Sequence, residues 1–277
     1  MTAYFAVAHL KGGTGATTVA VNLAAGLALK KRRTVLLDLD PIAAATFHLA
    51  TEPPRYTVAD CLERRVPVAE ALVSTGVPNL SLLPGGRALA SWDRKPERFP
   101  VDLSRVLEEL PAETESVVID LPPSENAIVR GALAVLPGGR VLAPVQTRAL
   151  DLVGFSDLVQ LLEEMREQNE NLHLAGVIPV RLDKRALSAE VLEALQQQHG
   201  DRVLPGIRES AAVARAPLRH LPVQLTAPHS PGAQDFEQLA RRLSDVARTV
   251  QLAKRLGIKL RPPGGKATKP ARQAREH

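Results

Sequence analysis

The segment Lys11-Gly12-Gly13-Thr14-Gly15-Ala16-Thr17-Thr18 constrains this chain more than any other, because it joins a short apolar run, residues 4–8, to a helical pattern over 17–29. An apolar run of that length ending at glycines reads as a central strand buried on both faces. Val19, Leu23 and Leu27, with the alanines between them, give the next helix one apolar side, and the basic residues at 30–33 suit its C-terminal end. Strand, glycine loop and helix make an anion cradle. Glycines let successive backbone N–H groups turn toward one ligand, and the helix adds the positive end of its dipole. A nucleoside triphosphate is the natural guest.

The standard phosphate-binding loop, G-x-x-x-x-G-K-[ST], uses its lysine on the β and γ phosphates and its hydroxyl on magnesium. Here Leu10 stands at the first glycine and Ala16 at the lysine, while Thr17 is in place and a lysine occurs early, at Lys11. With that early lysine the loop resembles Lys-Gly-Gly-x-Gly-Lys-Thr-Thr of the ParA/MinD family of dimerising ATPases, except at Ala16. Val35-Leu36-Leu37-Asp38-Leu39-Asp40-Pro41 is similar to that family's second motif. Val117-Val118-Ile119-Asp120-Leu121-Pro122-Pro123-Ser124 resembles its Walker B strand. Residues 141–146, 175–183 and 207–217 are similar in pattern to later segments, so the resemblance covers roughly the first 245 residues. With no segment ahead of the first strand for a helix-turn-helix, the likeness is to the short chromosomal, Soj-like kind.

The resemblance implies an α/β fold, a doubly wound, mostly parallel sheet flanked by helices on both faces, and it implies ATP and Mg2+ as cofactors. It gives the cradle to Lys11, Gly12, Gly13, Thr14, Gly15, Ala16, Thr17 and Thr18, and the magnesium to Thr17 and Asp120. Asp40 would orient the attacking water, with Asp38 supporting the loop, and Lys11 would cross to the phosphates of a second protomer. Arg181 and Arg208 fall where the base is contacted. Lys184, Arg185, Arg215 and Arg219 fall where a homodimer would follow DNA without reading its sequence. A ParB-like partner then triggers hydrolysis, in a cytoplasmic, nucleoid-associated setting.

Three departures bear on this. Ala16 removes a charged hydrogen bond worth about 1.5–3 kcal/mol, which weakens triphosphate binding by roughly 10- to 150-fold. One lost preorganised donor typically costs about 100- to 1000-fold in rate, so hydrolysis is expected to be weak or absent. Ile42-Ala43-Ala44 replaces the usual Gln-Gly-Asn beside the same site, which favours a diverged paralogue over an introduced substitution. Ile207-Arg208-Glu209-Ser210 replaces Ile-Pro-Arg-Ser near the base. A non-hydrolysing DNA-binding or regulatory paralogue, or a MinD-like membrane-cycling positioning protein, is the alternative.

The rest of the chain alternates apolar runs with helical spacings. Residues 57–74 read as two short helices split at Pro67, 79–83 as a strand, 101–110 as a helix and 126–136 as another. Residues 141–145 and 174–180 read as strands, 150–168 and 188–198 as helices, and 234–256 as a long closing helix. His9 reads as a structural histidine, Trp92 as cover for a core edge, and Cys61 as a packing residue.

A chain of 277 residues that is 45% hydrophobic can bury one large core. No secretory signal pattern opens it, and no apolar run approaches the ~18 residues of a membrane span. The net charge of +5 is uneven: from Gln251 onward there are eight basic residues and one acid, a local +7 that leaves −2 for the rest. Affinity for DNA would therefore come from that tail and from local patches. The division expected is a nucleotide-binding domain over 1–250 and a disordered basic tail over 251–277. Residues 252–260 make a weak amphipathic stretch of the MinD kind, but Pro262-Pro263-Gly264-Gly265 interrupts it, so no membrane partner is expected.

Overall fold

In the computed structural model, which describes residues 2–147, 149–183 and 186–255, the apolar runs become strands of one sheet. They are β1 (Ala3–Val7), β2 (Thr34–Asp38), β3 (Val73–Ser74), β4 (Leu80–Leu83), β5 (Ser116–Asp120), β6 (Arg140–Gln146), β7 (His173–Leu182) and β8 (Ile207–Arg208). The order across the sheet is β3-β4-β2-β5-β1-β6-β7-β8, and only the β3–β4 pair is antiparallel. The doubly wound parallel sheet is thus the observed fold. Its strand order reverses around β1, which puts the carboxyl end of β1 where open α/β sheets bind ligands.

The helices are α1 (Ala16–Leu29), α2 (Ala44–Leu49), α3 (Val58–Leu62), α4 (Val68–Ala71), α5 (Arg98–Glu108), α6 (Ala127–Val135), α7 (Ala149–Glu164), α8 (Ala186–His199), α9 (Ala211–Arg215), α10 (Val223–Thr226) and α11 (Pro231–Arg255). Strand alternation sends Leu37, Val117 and Ile119 into one core with Trp92, Phe99 and Leu158. It sends Leu36, Val118 and Phe5 into the other, against Leu23 and Leu27 of α1 and Phe236 and Leu239 of α11. Every residue of β2 and β5 is buried, which accounts for the apolar run at the centre of each, Val35–Leu37 and Val117–Ile119.

Helix α1 lies between the sheet and α11, buried continuously from Val19 to Ala28. Its small residues are what that position requires: a Cβ on Gly26 would lie 2.6 Å from Ala240 Cβ. Trp92 is fully buried in a 3-10 turn over Arg87–Arg94, edge-on to Phe99 at 6.0 Å with Lys95 and Arg98 over its ring, and so covers a core edge. Cys61 is buried in α3, and burial pushes its thiol up to about 11, as suits a packing residue.

Several boundaries differ from the sequence reading. Residues 73–74 leave the expected helix and pair with β4 as an edge strand, because α4 is only four residues long and ends at Ala71. The strand expected at 174–180 is β7, which runs from His173 to Leu182. Helix α5 starts at Arg98 and α11 at Pro231, each three residues early, and α11 runs past the boundary placed at 250. Lys184, Arg185 and residues 256–277 lie outside the described residues. Among the described residues no helix is long and apolar enough to cross a membrane.

Candidate nucleotide site

Between β1 and α1 the chain turns twice through left-handed backbone, at Gly13 (φ 80°) and Gly15 (φ 90°), where a side chain would be strained. Gly15 is the N-cap of α1 and offers no side-chain cap, so the first N–H groups of the helix are left for a ligand. Two contacts fix the loop. Gln146, at the end of β6, donates from Nε2 to the Gly13 carbonyl at 2.6 Å, and the Lys11 N–H donates to His9 Nδ1 at 3.0 Å. His9 is fully buried and holds the loop through that contact, in keeping with a structural histidine. Helix α7 closes one side: a Cβ at Gly154 would stand 2.9 Å from the His9 ring and 3.1 Å from Lys11 Cβ. Gln146 escaped the sequence reading, since a polar residue closing an apolar strand carries no signal of its target.

Three acids gather at the carboxyl edge of the sheet. Parallel register sets Asp120 beside both Val7 and Asp38. Asp38 accepts from the Asp40 N–H (3.1 Å) through Oδ1, and from the Thr46 N–H (2.8 Å) and hydroxyl (2.7 Å) through Oδ2. Thr46 Oγ1 in turn accepts from the Gly85 N–H at 2.9 Å. Asp38 therefore ties β2 to α2 and to the turn after β4; its partners are not in the phosphate loop, which corrects the supporting role expected from sequence. Burial outweighs these bonds and pushes its carboxyl up to about 6. Asp40 is nearly buried and accepts from the Ile42 N–H at 2.8 Å, folding a tight turn into Ala43, whose left-handed φ of 56° caps α2.

Asp120, like Asp38, is fully buried. Both of its oxygens are buried without a donor in hydrogen-bonding geometry among the described residues. Burial first, and the Asp38 charge second, raise its carboxyl well above the usual range, while the nearby Thr17 hydroxyl offsets this in part without completing a normal hydrogen bond. A desolvated carboxylate beside a threonine hydroxyl fits a divalent cation. Among the described residues no three His, Cys, Asp or Glu side chains form a metal cage, and magnesium in phosphate sites typically takes one or two protein ligands with water and phosphate.

A cleft of about 320 Å³ opens beside the loop, with Thr14, Gly15, Thr18, Arg181 and Arg208 among its walls. Arg181 is exposed and left-handed (φ 53°) at an irregularity in the β7–β8 pairing. Arg208 is committed elsewhere: Nε and Nη2 bond Asp235 at 2.7–3.1 Å, and Nη2 also reaches the Pro231 carbonyl. Arg215 and Arg219 are exposed on α9 and the turn after it. The structure thus gathers the loop, Asp40, Asp120, Arg181 and Arg208 at one edge, and sets Arg215 and Arg219 on adjoining surface.

A family profile described as an AAA domain matches residues 2–174. The sporulation initiation inhibitor protein Soj of Bacillus subtilis is 31% identical over 249 residues, spanning 86% of this chain and 97% of that protein. The chromosome-partitioning ATPase Soj of Thermus thermophilus is 34% identical over 241 residues, 86% and 94% of the two chains. Cobyrinic acid a,c-diamide synthase of Mycobacterium smegmatis, solved with bound ADP and magnesium, matches with a TM-score of 0.74 at 26% identity, over 95% of this chain and 99% of that one.

Proposed function

This chain belongs to the ParA/Soj family of partitioning ATPases, and from that premise we propose that it is a nucleotide-gated DNA-partitioning protein whose hydrolysis is impaired by Ala16. The observation that carries the reading is the uncapped start of α1 at Gly15, beside a buried Asp120 carboxylate that completes no normal hydrogen bond among the described residues. Backbone N–H groups from Gly12 to Thr18 cradle the phosphates, and Thr17 with Asp120 holds the metal. A magnesium ion held by Thr17 and Asp120 would supply neutralising charge to the phosphate oxygens. Asp40, with one oxygen fixed by Ile42, orients the attacking water through the other. Arg181 lies against the base. Arg208 serves through its backbone and stem, because Asp235 holds its guanidinium.

Two protomers close face to face over the nucleotide, with Lys11 reaching the partner's phosphates. The homodimer then tracks DNA phosphates with Arg215, Arg219, Lys184, Arg185 and the basic tail, and a ParB-like protein stimulates what turnover remains. The reading of a non-hydrolysing paralogue is favoured by one residue, Ala16, since the lost donor lowers turnover by about 100- to 1000-fold.

Calorimetric titration of ATP with magnesium into the protein and into Ala16→Lys tests this reading. Lysine is expected to tighten binding by roughly 10- to 150-fold. Failure of both proteins to bind nucleotide overturns the reading, and phosphate release at equal rates from the two overturns the impairment.

A further inference from the structure

We infer that the base end of the cleft selects guanine over adenine, through the Glu209 carboxylate and the Arg181 guanidinium. The inference rests on the nucleotide reading above and names the base that the same site takes. Glu209 and Arg181 line one cleft of about 320 Å³, whose apolar walls include Val19, Val213 and Pro217. Strand register brings them together. Val180 and Leu182 oppose the consecutive residues Ile207 and Arg208, which leaves Arg181 as the extra residue of a bulge, with φ 53°. A bulge re-aims the side chain it carries. The Glu209 N–H then donates to the Leu182 carbonyl at 3.0 Å, so both charged residues adjoin Leu182.

Neither charge has a side-chain partner: among the described residues, the Glu209 carboxylate and the Arg181 guanidinium make no hydrogen bond or ion pair. The cation beside Glu209 in the chain, Arg208, is held by Asp235 at 2.7–3.1 Å and by the Pro231 carbonyl, so it leaves the carboxylate unneutralised. The two purines differ in sign at matching positions. Guanine offers adjacent donors, N1–H and the N2 amine, which one carboxylate accepts side by side, and it offers O6 and N7 as acceptors for a guanidinium. Adenine has a bare lone pair at N1 and an amine donor where guanine carries O6. Against adenine the carboxylate would meet a lone pair and the guanidinium an amine. One acid and one arginine in a single apolar slot therefore complement guanine and mismatch adenine, which leaves charged groups of the site unpaired. Both side chains are exposed at the cleft, so solvent screens the contacts and sets the preference at the low end of what a bidentate pair gives.

Calorimetric titration of GDP, IDP and ADP, each with magnesium, into the full chain tests this, because the phosphate end is the same in all three. GDP is expected to bind at least about 5-fold more tightly than ADP. IDP keeps N1–H and O6 but lacks the N2 amine, and its affinity should fall between them. Glu209→Gln, whose amide can accept from N6 and donate to N1 of adenine, should bring the GDP-to-ADP affinity ratio to unity or below. Arg181→Gln should shrink the ratio by a separate route, through O6, and keeps the inference falsifiable should Glu209→Gln not fold. ADP or IDP binding wild type as tightly as GDP, or a ratio unchanged in either variant, overturns the inference and leaves the nucleotide reading standing. Binding of none of the three diphosphates overturns the nucleotide reading itself.

Discussion

Ala43 holds a left-handed φ of 56° at the start of α2, directly after the Asp40 turn, where the ParA resemblance leads one to expect glycine. An L side chain pays roughly 1–2 kcal/mol for that conformation, partly offset by the greater freedom glycine gives the unfolded chain. Ala43→Gly is therefore expected to raise unfolding stability by about 1 kcal/mol, read from urea denaturation; a lower midpoint would mean that the strain is relieved by contacts of the methyl group. His48, in the same helix, is buried with Nε2 3.2 Å from the Leu221 carbonyl, and burial pulls its pKa down to about 4. The unfolded chain then takes up the proton first, so this group's stability is complete above pH 6.5 and is lost as pH falls toward 4. Asp38 acts oppositely, since a carboxyl raised to about 6 gives stability below pH 3.8 that is lost as pH rises through 6. Comparing His48→Gln with wild type isolates the histidine: the variant should lack a loss of about 3 kcal/mol between pH 6.5 and 4, and parallel curves would refute this.

At the level of elements, the loop is positioned by helices that approach closely enough to need small residues. Gly26 in α1 meets Ala240 in α11, the helix whose Asp235 also binds Arg208 at the cleft. In an exposed helix, glycine to alanine gains about 1 kcal/mol. Here a methyl 2.6 Å from Ala240 Cβ must push α1 and α11 apart, so Gly26→Ala is expected to destabilise by about 1–3 kcal/mol despite its better helix propensity. A rise in thermal midpoint would refute the packing reading. The sequence reads α1 as amphipathic through Val19, Leu23 and Leu27, yet the helix is buried almost all round because α11 returns over it. Spacing alone carries no trace of that second cover. The edge strand at 73–74 was illegible for a similar reason, as two residues hold no periodicity and only pairing with β4 defines them.

Across the whole molecule, the charge of the body and that of the terminal segment have opposite signs, so the DNA affinity proposed above is assigned to the terminal segment and to local basic patches. Six of the eight basic residues beyond Gln251 lie after Arg255. A chain ending at Arg255 is expected to keep its thermal midpoint and to lose salt dependence of DNA binding, by roughly 0.9 in the log–log slope for each phosphate contact removed. An unchanged slope would assign all the contacts to Arg215, Arg219 and their neighbours. By itself the sequence determined the parallel α/β sheet, the glycine cradle, the placing of Asp40 and Asp120 at strand ends and the missing ammonium at Ala16. The cradle and the missing ammonium are local facts carried by residue type, and the parallel sheet with its strand-end acids follows from the family resemblance that those motifs carry. Only the tertiary structure decided that Asp38 serves α2, that Asp235 takes the Arg208 guanidinium, that Gln146 holds Gly13, and that Asp120 completes no normal hydrogen bond among the described residues. Each of these depends on which distant segment folds against a side chain, and a polar residue's partner is set by three-dimensional proximity, not by its neighbours in the chain.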